Sequence, residues 1–204
     1  MRVVSKLPCV RTSRGMFKKT PILVCIAAVL TLSIISCGEE LSPSLNATSA
    51  REVSIDLLTA IDEERNIVVQ EILNLGIDPN KVPVPVGIPL EGAYPLHLAI
   101  VKGNKEVVNM LLDHGARIDL EAKNKDGATP LHWAAFFGQK EMIPLLIAWG
   151  APINKLDNNH ATPVDAAVFA WRHSQDNEDW AENMMNTINI LKSYGGKPAD
   201  ELQD

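Results

Sequence analysis

The chain has 204 residues, enough for one ordinary domain, and an apolar fraction of 46% that suits a folded globular protein. Its charge is unevenly divided: six basic residues and no acidic one lie between Met1 and Cys37. All 25 acidic residues come later, beside the remaining 13 basic ones, so the part after Cys37 carries −12 against −6 for the whole. Such a surface repels phosphate backbones, which excludes nucleic acid as a partner class, and it would steer a basic protein surface toward itself.

In chain order, Lys18-Lys19 leads into 16 residues from Pro21 to Ser36 that are almost wholly apolar, and then into Cys37-Gly38-Glu39-Glu40. A basic start, an apolar run and a small residue before a break predict a secretory signal over 1–36, with Met16 as an alternative start. The run is shorter than the roughly 20 residues that span a bilayer. Ile34-Ile35-Ser36-Cys37 resembles the lipobox of bacterial lipoproteins, which implies that Cys37 becomes the lipidated first residue of the mature protein. Gly38 stands where the inner-membrane retention signal of those proteins would have Asp, so the resemblance implies the periplasmic face of the outer membrane. Residues 37–53, polar with Pro and Ser, read as the lipidated cysteine and a flexible tether, and 54–204 as the folded domain. The cysteines are 9, 25 and 37, so the domain has no disulfide framework and no thiol chemistry.

The domain repeats itself. Ala93-Tyr-Pro-Leu-His-Leu-Ala-Ile100 recurs as Ala128-Thr-Pro-Leu-His-Trp-Ala-Ala135 and as Ala161-Thr-Pro-Val-Asp-Ala-Ala-Val168, at spacings of 35 and 33. Each copy runs on into an apolar helical pattern closed by Gly115, Gly150 or Gly195. Proline at a first helical turn costs no hydrogen bond, and glycine just past a helix adopts a left-handed cap most easily. Leu111, Leu112, Leu145, Leu146, Ile190 and Leu191 are expected to form the seam shared by stacked copies. A degenerate first copy aligns when Gly76 is laid over Gly115, placing Leu57 on Leu96 and Ala60 on Ala99. Between Gly150 and Gly195 about 12 extra residues enter, centred on Trp171 to Trp180, and Lys81 to Pro89 lengthens the first loop. The period and the Thr-Pro-Leu-His motif resemble the ankyrin repeat, over roughly 54–198. The resemblance implies an all-α solenoid of about four helix-loop-helix repeats with hairpin-like loops.

The resemblance implies that His97 and His132 hydrogen-bond backbone between neighbouring turns, and Asp165 in the third copy fits the same polar role. No Gly-x-Ser-x-Gly, His-Glu-x-x-His, Walker loop or Gly-x-Gly-x-x-Gly occurs, so the expectation is no enzyme and no cofactor. His173 with Asp176, Glu178 and Asp179 lacks the oxygen spacing of a calcium loop and reads as a solvated acidic loop, with no metal.

In the ankyrin pattern the two residues after the first-helix motif face the concave side. Here they are Asp62-Glu63, Val101-Lys102, Phe136-Phe137 and Phe169-Ala170. Phe136, Phe137 and Phe169 are expected to stand exposed in a row and mark an interface, unless the insertion folds over them or lengthened helices repack. Trp171 and Trp180 are candidate anchors of the same surface, and the hairpin tips (Lys123, Lys125, Asp126; Leu156, Asn158, Asn159) are its other contact zone. The expected function is a membrane-anchored periplasmic module, monomeric before it binds and inhibits one protein. The layout resembles ankyrin-repeat lipoproteins that act as immunity proteins against phospholipase toxins of type VI secretion. The alternative is a periplasmic helper of a redox enzyme or an envelope assembly.

Overall fold

In the computed structural model the chain is described over residues 57–173 and 176–202. The signal segment, Cys37 and the tether lie outside the described residues.

Four helix pairs follow one another among the described residues. They are α1 (57–62) with α2 (Asn66–Asn74), α3 (Pro95–Val101) with α4 (Lys105–Asp113), α5 (Pro130–Phe136) with α6 (Met142–Ala148), and α7 (Pro163–Arg172) with α8 (Glu178–Ser193). A short 3-10 turn at Ala199–Leu202 follows. No strand occurs among the described residues.

Local chemistry sets the ends of these helices. Proline opens α3, α5 and α7, where the missing N–H is no loss. Thr162 caps α7, its hydroxyl oxygen accepting from the Asp165 N–H, and Asn104 caps α4 by accepting from Val107 N–H at 3.2 Å. Gly76, Gly115, Gly150 and Gly195 sit past the second helices with φ between 83° and 88°, the left-handed cap that the closing positions called for.

Packing then joins the pairs into one unit. Leu57, Leu73, Ile100, Val107, Leu111, Leu131, Ile143, Leu146, Val164 and Leu191 belong to one continuous buried cluster. Leu145 and Ile190 only lean on it, half-buried. No pair covers its own apolar stripe, so the seam exists only in the stack. The insertion before α8 did not become a loop: α7 runs 10 residues against 7 in α3 and α5, and α8 runs 16 against 9 in α4. A second, smaller cluster of Val84, Ala93, Ala122 and Trp133 lies under the connecting loops.

Those loops are narrow fingers closed by backbone bonds across their bases. Val84 N–H donates to Ala93 O at 2.7 Å, Ala122 N–H to Ala128 O at 3.0 Å and Asp157 N–H to Ala161 O at 3.0 Å. Successive fingers touch, Lys123 N–H donating to Gly92 O and Asn158 N–H to Asp126 O. Gly92 (φ 76°) must be glycine, because a Cβ there would lie 2.5 Å from the Lys123 carbonyl carbon. His160 holds the matching left-handed conformation (φ 58°) in the last finger.

Asparagine staples a second edge. Asn80 Nδ2 donates to Gly115 O and its Oδ1 accepts from Arg117 N–H, both at 2.8 Å. Asn154 repeats the arrangement with Gly195 O at 3.2 Å and Lys197 N–H at 2.8 Å. The middle junction lacks it: Asp119 replaces the asparagine and Pro152 the N–H donor, and a Lys155–Glu121 ion pair of 2.7 Å spans the gap.

Candidate binding surface

The starts of the first helices are chemically saturated. His97 is fully buried; its Nδ1 accepts from Tyr94 N–H at 3.2 Å and its Nε2–H donates to Ala128 O of the next repeat at 3.2 Å. His132 does the same, taking the Thr129 hydroxyl at 2.7 Å and giving to Ala161 O at 3.0 Å. Burial pushes His97 down to about 4 and lowers His132 as well, so both rings are neutral with the proton on Nε2. In the last repeat Asp165 accepts from the Thr162 N–H and hydroxyl, and from Ala199 N–H, each at 2.9 Å. The two histidines are consumed in joining repeats, and Asp165 Oδ2 is spent on Thr162 and Ala199. Among the described residues no three His, Cys, Asp or Glu side chains come together to hold a metal.

From this buried row a line of rings leads outward. His97 meets Trp133 edge-on at 5.3 Å, Trp133 meets Phe137 at 5.7 Å, and Phe137 meets Phe136 edge-on at 5.2 Å. Phe136 stacks on Phe169 at 6.3 Å and 23°, and Phe169 lies 4.2 Å from His173. Phe136 is 41% exposed and Phe169 56%. Phe137, expected beside them in the open, is half-buried against Trp133 and the small cluster below the fingers. The two neighbours differ because adjacent helical residues point about 100° apart, so one ring goes outward and the other inward.

The other candidate positions have varied surroundings. Val101 packs partly into the same small cluster, and Lys102 is tied to Asp62 at 2.7 Å. Trp171 is half-buried on the main core, since Val164, Ala167 and Trp171 recur at helical spacing on one face of α7. Trp180 is 39% exposed, and a Cβ added at Gly138 would sit 3.5 Å from its ring. Asn183 Nδ2 donates to Gly138 O at 2.9 Å, so the front of α8 rests on the turn just after Phe137. Lys125, Asp126, Asn158 and Asn159 are all exposed, yet they bind one another: Asn158 Nδ2 donates to Lys125 O and Asn159 Nδ2 to Asp126 Oδ1, both at 3.1 Å. The structure thus brings Phe136, Phe169 and Trp180 toward one edge and leaves the finger tips as a separate, self-bonded group. Sequence reasoning passed over His173 as part of this surface. Its spacing of four from Phe169 on a helix was the signal.

The pattern of proline starts, histidine bridges and glycine stops has a counterpart among known families. A comparison of the sequence with curated proteins finds no match. A family model described as ankyrin repeats (3 copies) matches residues 57–174, more than half of the chain and every element up to the end of α7. The chain belongs to the ankyrin-repeat family.

Proposed function

We propose that this protein is a lipid-anchored module on the periplasmic face of the bacterial outer membrane that grips and inhibits one partner protein. Its partner on this reading is a phospholipase toxin delivered by type VI secretion, and its role is to protect the cell that makes it. Repeats of this family are protein-interaction modules and not catalysts, which gives the coarse part of the reading. The observation that supports a docking face is the pair of phenyl rings, Phe136 and Phe169, held out on a scaffold with no buried side-chain polar atom left unpartnered among the described residues. Solvent-facing aromatic rings are costly in a free monomer and are enriched where another protein docks. Helices and fingers already locked in place keep the ordering cost of binding small, which suits tight inhibition. The basic start, the apolar run and the Ser36-Cys37 step support the anchor and the compartment.

Two experiments test the two halves of this reading. A deletion strain mixed with its wild-type siblings is expected to be killed, and to be spared when the siblings carry a catalytically dead lipase. A deletion strain that competes evenly with its siblings removes the immunity role. For the docking face, full-length protein carrying Phe136→Asp and Phe169→Asp is expected to lose the envelope partner that the wild type captures, with its helical circular dichroism unchanged. Capture that survives both substitutions removes the face.

A further inference from the structure

We propose that the exposed rings and the acids of the insertion together seat a basic, arginine-bearing segment of the partner. The inference rests on the docking face above and adds the chemistry of what enters it.

The rings supply flat apolar faces. Phe136 and Phe169 are nearly parallel, with centroids 6.3 Å apart, and His173 extends the row, tilted 34° to Phe169 at 4.2 Å. The acids come from Asp176, just before α8, and from the first turns of α8 itself. The front of α8 rests beside the rings: Trp180 approaches Gly138 next to Phe137, and Asn183 Nδ2 donates to Gly138 O at 2.9 Å, while His173 Nδ1–H donates to Phe169 O at 2.8 Å. Asp176, Glu178, Asp179 and Glu182 therefore belong to the end of α8 that packs on the turn just after Phe137. All four are exposed, and none takes part in an ion pair among the described residues. Arg172 is the one basic residue in that stretch.

The combination selects among occupants. An apolar helix would satisfy the rings but would desolvate carboxylates at its border with nothing to pair them. A lysine-rich segment would satisfy the carboxylates but gains little from flat rings, because an ammonium is a compact, strongly hydrated charge. A guanidinium is planar, always charged and weakly hydrated, so it stacks on a ring while its edge bonds to carboxylate. The −12 of the chain after Cys37 steers such a segment inward from a distance.

The test uses three fluorescein-labelled dodecapeptides that alternate glycine with arginine, with lysine or with citrulline, the uncharged analogue of arginine. Anisotropy titrations of the full chain are expected to show the arginine peptide binding about tenfold tighter than the lysine peptide and the citrulline peptide not saturating. Removing four charges (Asp176→Asn, Glu178→Gln, Asp179→Asn, Glu182→Gln) is expected to weaken the arginine and lysine peptides alike, by about tenfold. Phe136→Ala with Phe169→Ala is expected to erase the preference for arginine over lysine. Circular dichroism of each variant confirms that it is folded. Equal binding of arginine and citrulline peptides, or an arginine preference that survives loss of both rings, overturns the inference. If the partner capture above depends on the rings while the arginine peptide fails to bind, this inference falls and the docking face stands. If capture ignores the rings, both fall.

Discussion

His132 and Phe136 of α5 lie only four residues apart and have opposite fates. At its start His132 is buried, neutral and bonded on both ring nitrogens; at its end Phe136 turns to solvent. The same contrast holds across the stack, where His97 and Asp165 saturate the helix starts and Phe169 and His173 line an open edge. In α5 and α7 the start is bonded to the surrounding chain, and the other end carries an exposed ring. Stability and recognition are thus carried by different residues of one short element, so each can be changed without the other.

The contrast can be broken most sharply at His132. Replacing it by alanine strands the Ala161 carbonyl and the Thr129 hydroxyl, and is expected to cost about 3 kcal/mol in urea unfolding. Phe169→Ala, by comparison, is expected to cost less than about 0.5 kcal/mol. Acid acts on the same buried row. His97 is held near 4 in the folded chain against 6.5 when free, so its neutral form is what folding favours. Stability is then whole above pH 6.5 and drains away as pH falls toward 4, by on the order of 3 kcal/mol. His132 adds to the loss with the same sign. A His97→Asn variant should show a flatter decline over that window in melting temperature. Among the fingers, Gly92→Ala meets backbone at 2.5 Å and is expected to cost about 2 kcal/mol more than Gly115→Ala, which meets nothing within 4 Å and pays only for its φ. One change is expected to be a gain. Glu64 closes the α1–α2 turn with φ 56°, where the later repeats have Gly103 and Gly138, so Glu64→Gly is expected to add about 1 kcal/mol to the unfolding free energy.

The repeats were legible because their signals are local and recur: proline, histidine and glycine stand at fixed offsets and each has a backbone reason for being there. The partial burial of Phe137 was not legible, since it depends on Trp133 and on residues of the first two fingers distant in sequence. The insertion misled for a similar reason. Its polar, charged middle reads as loop, yet Asn177 accepts from Trp180 N–H at 3.0 Å and starts a long helix whose inner face, Met184, Thr187, Ile188 and Leu191, is buried. Trp171 was legible in principle, through its spacing from Val164 and Ala167. The finger tips looked free because Asn and Asp are turn residues; that they bond to the adjacent finger is a fact of stacking and not of composition.

The missing staple at the middle junction has a consequence for how this sequence can change. Asp119→Asn alone would offer an amide to Gly150 O, and Pro152→Ala alone would supply an N–H to the Asp119 carboxylate, whose oxygens can accept it beside Arg117. Only the double substitution recreates the two-bond clasp that Asn80 and Asn154 make. Each change adds one of its two bonds, so a double-mutant cycle should find them close to additive, and a uniform array can be reached one bond at a time.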